Sequence, residues 1–336
     1  MTTQQVSEKP VGTDDVVLRI SDLAVATDRR AGGLEIVHGL DLTLRRGETV
    51  GVVGESGSGK SVTMLALMRL LGDALTISRG RVEFQGRDLA ALSEEEMREL
   101  RGREIAMVYQ DPMTSLNPLM RVGTQVMEAL TVHGVAKDEA RARCLELFAR
   151  VGIPDPHRTM RAYPHEFSGG MRQRVVIAMA LALRPTLLIA DEPTTALDVT
   201  IQQQILALVA ELQREMGMTT IWVTHDLGVV ARLVDRVVVM YGGHIVEDAP
   251  VADLFARPQH PYTDRLLASL PNPADDSRPP LAQIPGRPPL PSERVTGCPF
   301  RPRCAQARDV CATNPPLTTR GASRAACWVP VEEWTR

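Results

Sequence analysis

Eight consecutive residues, Gly54-Glu55-Ser56-Gly57-Ser58-Gly59-Lys60-Ser61, have the types and spacing of a loop that cradles phosphate. Glycines at 54, 57 and 59 let backbone N–H groups turn inward where a Cβ would obstruct the anion. Lys60 is placed to reach the β- and γ-phosphates of a nucleotide, and the Ser61 hydroxyl to ligate Mg²⁺. Chemistry on such a phosphate also requires a carboxylate for the metal and a group that activates water. Leu187-Leu188-Ile189-Ala190-Asp191-Glu192 offers both, with Asp191 for Mg²⁺ and Glu192 for the attacking water. His225, after the apolar Thr220-Ile221-Trp222-Val223, is the candidate contact to the γ-phosphate. Singly, these would be a glycine-rich turn, a solvated acidic pair and a structural histidine. A chance match to the loop pattern in such a chain is on the order of one per cent, given average glycine usage near 7%.

The loop needs a strand before it and a helix after it. Glu48–Val53 reads as a buried strand and Val62–Met68 as an amphipathic helix, whose positive dipole end faces the same anion. Val16 to Ala26 and Leu34 to Leu44 alternate as half-buried strands do, around a turn at Asp28–Gly33. Arg81–Phe84 reads as a strand, Ser93-Glu94-Glu95-Glu96 as a capping box opening a short helix, and Glu104–Tyr109 as a buried strand ending at Gln110. From residue 112 to about 184 helical periodicity replaces strand signals, notably in Val122–Val132 and Lys137–Val151, which suggests a helical insertion. Thr186–Ala190 and Thr219–Thr224 return to the sheet, flanking a helix over Thr200–Met216. Arg236–Tyr241 and His244–Glu247 read as a closing strand pair.

The 336 residues suffice for one large α/β domain with appendages, and 44% hydrophobic content with mixed charge fits a folded chain. A net charge of −3 gives no electrostatic argument for nucleic acid or an anionic membrane surface. Residues 1–15 are polar, without the apolar core of a signal peptide, and are expected to be disordered. The longest apolar stretch, Val175 to Ala190, is broken by Arg184-Pro185, so no membrane span is expected. The division expected is an ATPase domain over 16–256, with its helical subdomain at about 112–184, and a C-terminal extension over 257–336. Eight prolines between Pro271 and Pro291 exclude helix and central strand, leaving a semi-extended arm that buries Leu281, Ile284 and Leu290.

Ser168-Gly169-Gly170 opens a long apolar helix and makes a second anion site of amides and helix dipole. It reads equally as a plain helix cap. Two such helix starts with one complete nucleotide site point to a head-to-tail dimer, in which the serine-glycine helix of one subunit closes over nucleotide held by the other.

These residues resemble an ATP-binding-cassette ATPase: Walker A at 54–61, Gln110 as Q-loop, Phe167–Gln173 as signature, Walker B at 187–192, Asp198 in a D-loop and His225 as switch histidine. Tyr109–Pro118, Tyr163–Arg174, His260-Pro261-Tyr262-Thr263 and Gly297-Cys298-Pro299-Phe300 more narrowly resemble the ATPase subunits of dipeptide and oligopeptide importers. The resemblance implies a phosphate-loop NTPase cassette of α/β class: a RecA-like core, an antiparallel β subdomain, a helical insertion and a small Cys-rich extension. It also implies ATP bound by Gly54 to Val62, Asp191, Asp198 and a partner's equivalents of Ser168, Gly169 and Gly170. Mg²⁺ would sit on Ser61, Gln110 and Asp191, with Glu192, His225 and Gln110 catalytic. The partners implied are a second, different ATPase subunit, two membrane permeases and an extracytoplasmic peptide-binding protein, with the chain peripheral on the cytoplasmic face of the membrane. Other cargoes, such as nickel or another small solute, and non-transport roles share these motifs.

Two features depart from a plain cassette. Relatives stack adenine on an aromatic residue about where Thr27 stands, and no aromatic residue occurs between Met1 and Phe84; Arg29 or Arg30 is the candidate to cover the base instead. The tail carries Cys298, Cys304, Cys311 and Cys327, without tight Cys-x2-Cys pairs. Four thiols suit a [4Fe–4S] cluster, to which the resemblance also points, or structural Zn²⁺, or no ligand at all. Cys144, alone on a helical stretch, reads as an apolar core residue.

Overall fold

The computed structural model describes residues 15–28, 33–194, 197–270, 283–290, 293 and 295–335. The expectations for residues 1–14, for Arg29 and Arg30 and for Leu281 fall outside them.

Two sheets carry the described part of the molecule. The smaller is antiparallel in the order β2-β1-β4-β5, from β1 (Val16–Thr27), β2 (Glu35–Arg45), β4 (Leu75–Phe84) and β5 (Arg87–Asp88). The larger runs β11-β12-β10-β9-β3-β8-β7-β6. Its parallel part is β3 (Thr49–Val53), β6 (Ile105–Val108), β7 (Leu187–Asp191), β8 (Thr219–Val223) and β9 (Arg236–Tyr241). On β9 the antiparallel strands β10 (His244–Pro250), β12 (Ser323–Ala325) and β11 (Thr318–Arg320) continue the sheet.

The parallel strands are short and almost wholly apolar because both their faces are covered. Alternate residues enter different cores: Leu188 and Ala190 of β7, with Val237, Val239 and Tyr241 of β9, join the core under the helical insertion. Leu187 and Ile189, with Val238 and Met240, join the core under the small sheet. That pinning fixes the register, and with it where each strand's carboxyl end delivers its chemistry.

The first helix, α1 (Lys60–Leu67), follows β3 through the phosphate loop. α2 (Glu94–Leu100) starts at the expected capping box: Ser93 Oγ accepts from the Glu96 N–H at 3.2 Å and the Glu96 carboxylate from the Ser93 N–H at 2.7 Å. Between β6 and β7 there is no strand among the described residues, but α3 (Pro112–Ser115), α4 (Val122–Thr131), α5 (Lys137–Arg150), α6 (Pro156–Thr159), a 3-10 turn at Pro164–Glu166 and α7 (Gly169–Leu181). Gly123 lets α4 approach closely, since a Cβ there would stand 2.6 Å from the Met160 carbonyl. Cys144 is fully buried in this subdomain and burial pushes its thiol up to about 12, the inert behaviour expected of it. The remaining helices are α8 (Val199–Met216), α9 (Leu227–Leu233), α10 (Val251–Ala256) and α11 (Pro261–Ala268).

In the tail, β12 pairs with β10 at Glu247↔Ala325 and Asp248↔Arg324, making the tail an edge of the main sheet. Cys298, Phe300, Cys311 and Val329 join the main core, and Phe300, 1% exposed, contributes about 2 kcal/mol by burial alone.

Candidate nucleotide site

The phosphate loop leaves β3 and is shaped by glycines with positive φ: 152° at Gly54, 80° at Gly57 and 96° at Gly59. At Gly54 the requirement is steric as well, because a Cβ would lie 2.1 Å from the Met240 carbonyl oxygen. At Gly57 the space is open, with nothing within 4 Å of a Cβ. Among the described residues, the N–H groups of Gly57, Gly59, Lys60 and Ser61 meet no backbone acceptor, and the buried Ser58 hydroxyl has no partner. A cradle of unspent donors at a helix start fits an anion.

Lys60 is 6% exposed, and its ammonium donates to the Gly54 and Glu55 carbonyls at 2.8 and 3.1 Å. Burial lowers its pKa, while Glu192, Asp191 and Glu55 act to raise it. Glu55 is held from elsewhere: its N–H donates to the Tyr262 hydroxyl and its carboxylate pairs with Arg303. Val62 packs half-buried against the core under the small sheet.

β7 delivers Asp191 and Glu192 beside the loop. The Ser61 hydroxyl donates to Asp191 Oδ1 at 3.1 Å. Burial raises the Asp191 pKa above the usual carboxylate range, with Glu192 adding to the shift. A hydroxyl–carboxylate pair at the open edge of an anion cradle, its carboxylate buried and its hydroxyl exposed, fits Mg²⁺, which takes one or two protein oxygens plus substrate phosphate and water. Gln110 Nε2 donates to Glu192 Oε2 at 3.2 Å, and His225 Nδ1 lies 3.2 Å from the same oxygen. Three residues from the ends of β6, β7 and β8 thus meet on one carboxylate, next to the metal pair.

Ser168 caps α7, accepting from the Met171 N–H at 3.4 Å, so the plain-cap reading is part of the answer. Gly170 packs on Ile201, where a Cβ would come within 2.6 Å of Cγ2, and the nearest atom to a Cβ on Gly169 is Leu197 Cδ2 at 3.6 Å. Asp198 caps α8, its Oδ1 accepting from the Thr200 and Ile201 N–H groups at 3.1 and 3.0 Å.

Thr27 closes its hairpin, its hydroxyl accepting from the Leu34 N–H at 2.9 Å. Aromatic surface near the phosphate loop comes instead from His38 and His244, stacked at 4.5 Å and 10°. They wall a cavity of about 360 Å³ that also touches Gly57 and the arm at Pro289 and Leu290. The sequence reading missed this pair, which lies on β2 and β10 and leaves no local pattern.

Cys298, Cys304, Cys311 and Cys327 line one cavity, as their spacing suggested. Its volume is about 10 Å³, around the least that holds one water. Burial pushes Cys298 and Cys304 up to about 11 and raises Cys327. Cys327 donates to the Val329 carbonyl. Among the described residues no three His, Cys, Asp or Glu side chains stand as a group that could hold a metal ion. The structure thus brings the four cysteines together on one lining without a ready-made ion site among the described residues.

Comparison with known proteins extends the geometry. Residues 37–195 match the ABC transporter family and residues 246–311 the oligopeptide/dipeptide transporter C-terminal region. The oligopeptide transport ATP-binding protein OppD of Salmonella typhimurium is 50% identical over 321 residues, covering 95% of both chains. The protein of the same name from Bacillus subtilis is 53% identical over 275 residues, 81% of this chain and 77% of that one. Among solved structures, the dimeric post-hydrolysis state of the ATP-binding cassette MJ0796 bound to ADP and Pi superposes with a TM-score of 0.63. It is 27% identical and covers 70% of this chain and 98% of its own.

Proposed function

The chain belongs to the ABC transporter ATPases, and from that premise we propose that it hydrolyses ATP to power import of di- and oligopeptides through a membrane transporter. The observation that carries the chemistry is the meeting of Gln110 and His225 on the Glu192 carboxylate, one residue from the Ser61–Asp191 pair. The peptide cargo rests on the C-terminal region match and on the relatives' names.

ATP phosphates lie in the amide cradle of 54–61, and Lys60 turns from the loop carbonyls to the β- and γ-phosphates. Mg²⁺ on Ser61 and Asp191 would neutralise charge that builds on the phosphate oxygens. Glu192 accepts a proton from the attacking water. Gln110 and His225 orient that carboxylate, and Gln110, at the entry to the helical insertion, relays the γ-phosphate's presence to it.

The opposite wall comes from a second cassette. Ser168, Gly169 and Gly170 at the start of α7 face its nucleotide, and the partner's equivalents face this one, in a heterodimer. Two permeases dock on the helical insertion, and an extracytoplasmic binding protein delivers the peptide. No helix among the described residues is long and apolar enough to cross a membrane; the place proposed is peripheral, on the cytoplasmic face, on the strength of the relatives' names as ATP-binding proteins of oligopeptide transport. The division into an ATPase domain over 16–256 and an extension over 257–336 is part of the same reading. So is a [4Fe–4S] cluster, or alternatively Zn²⁺, on Cys298, Cys304, Cys311 and Cys327, supported by four thiols on one cavity; iron and zinc assays after anaerobic purification test it.

The functional test is reconstitution with co-encoded permeases and binding protein in vesicles. ATP-dependent uptake of a labelled oligopeptide, lost with Glu192→Gln, is the expected result. Uptake of Ni²⁺ but not peptide would overturn the cargo, and no uptake of any solute despite ATPase activity would overturn the transport role.

A further inference from the structure

Glu55, second residue of the phosphate loop, is gripped by elements from the far end of the chain. Its carboxylate accepts both arms of the Arg303 guanidinium, Nη1 at 2.6 Å and Nη2 at 3.2 Å. Its N–H donates to the Tyr262 hydroxyl at 2.9 Å. Arg303 has 5% of its side chain exposed, and its other donors are spent on the Tyr241 hydroxyl at 3.1 Å and the Pro285 and Ile284 carbonyls at 2.8 and 3.2 Å. Tyr241, Tyr262 and Phe300 pack together, with ring centroids 4.6 to 5.4 Å apart. Tyr262 is itself placed by Glu247, whose buried carboxylate accepts the Gln259 and His260 N–H groups at 2.7 and 3.0 Å. His260 Nδ1 then accepts the Tyr262 N–H at 3.0 Å.

The pair is 248 residues apart in sequence, so it exists only because the extension folds back over the core. A planar guanidinium forks onto a carboxylate in a way that an ammonium cannot reproduce. The Glu55 carbonyl is also one of the two acceptors for Lys60, so any shift of Glu55 moves the ammonium and the amides that meet phosphate.

Resting on the nucleotide-site reading above, we infer that Arg303 is a positioning residue for ATP: through Glu55 it holds the phosphate loop in its anion-binding shape. The C-terminal extension is thereby a part of the nucleotide site, and the His260-Pro261-Tyr262-Thr263 stretch is the second arm of the same latch.

The test measures Mg-ATP binding by calorimetry and ATPase KM and kcat on the full chain, with melting temperature alongside. Arg303→Met raises Kd and KM about tenfold, the scale of one lost charge-assisted hydrogen bond, while kcat changes less than about threefold. Arg303→Lys recovers part of the loss. Glu55→Gln, on the loop itself, gives a similar rise, and Arg303→Met with Glu55→Gln is no worse than either alone because both remove one interaction. Lowered melting temperature with unchanged Kd and KM in both single variants would overturn the latch and leave a structural pair. Lys60→Ala separates the two readings. If it retains full Mg-ATP binding, the nucleotide site itself falls. If it abolishes binding while Arg303→Met and Glu55→Gln leave Kd unchanged, only the latch falls.

Discussion

Two helices of this chain begin at glycine-bearing turns, and they are furnished very differently. At the start of α1 the chain supplies every companion group: Lys60 on the loop carbonyls, Ser61 on Asp191, Glu55 on Arg303 and Tyr262. At the start of α7, Ser168 caps its own helix, and among the described residues the side chains standing against the two glycines are Leu197 and Ile201. The first turn is built as a site by its own chain. The second has the donors of a site and none of the chemistry, as expected of a surface that completes another subunit's.

Substitutions can break that contrast. The largest effect is expected at Glu192→Gln, which lowers ATP turnover by about 10³-fold, within the range for a lost general base, while Mg-ATP still binds. Near-normal turnover in a phosphate-release assay would remove Glu192 from its role. Next is Ser168→Asp. Aspartate caps a helix as well as serine, so melting temperature and ATP affinity of the isolated chain hold. Turnover in the two-cassette assembly falls about 10²-fold, comparable to losing one transition-state donor, because a carboxylate now faces phosphate. If assembled turnover is untouched, α7 is merely capped.

Gly54→Ala and Gly169→Ala form a smaller, paired test. A Cβ at 54 meets the Met240 carbonyl at a positive φ, whereas one at 169 makes ordinary contact. The first is expected to cost about 3 kcal/mol, typical of forced overpacking, and the second to be near neutral by chemical denaturation. The smallest effect concerns the arm behind the loop. Burial depresses His260 from 6.5 to about 3. A depressed histidine is neutral when folded, so its stability contribution is intact above pH 6.5 and is lost as pH falls below it. Each pH unit in that window costs about 1.4 kcal/mol. Burial raises Glu247 from 4.5 to about 7, with the opposite sign: its contribution is present below pH 4.5 and lost as pH rises toward 7. Between pH 4.5 and 6.5 the two slopes oppose. His260→Asn keeps an acceptor for the Tyr262 N–H and removes only the acid-side loss, so melting at pH 5.5 should favour the variant more than melting at pH 7.5.

The features legible in the sequence were those written locally. The phosphate loop, the helical insertion and the carboxyl end of β7 each occupy one uninterrupted stretch with its own periodicity. β4 was read only from Arg81, because its first half is exposed and Gly80, at φ 93°, sits against the Asp22 carbonyl where the pairing with β1 shifts register. β11 and β12 have three residues each, too few for alternation to show, and β12 pairs across 78 residues to Glu247. Arg303 on Glu55 and His38 on His244 are contacts between distant stretches, which no window can contain. Asp198 is legible from its motif position, and its cap on α8 follows from an Asp standing just before an apolar-periodic helix.

Glu192 carries one more consequence. It continues the β7–β8 pairing by donating its N–H to the Val223 carbonyl, yet does so with φ at +46°. A left-handed non-glycine residue holds about 1–3 kcal/mol of strain. Glycine or asparagine would relieve it and destroy the base. A selection for heat tolerance alone, applied to this chain, would therefore press against the carboxylate proposed to activate water, so any thermostable variant bred without an activity screen should be sequenced first at position 192.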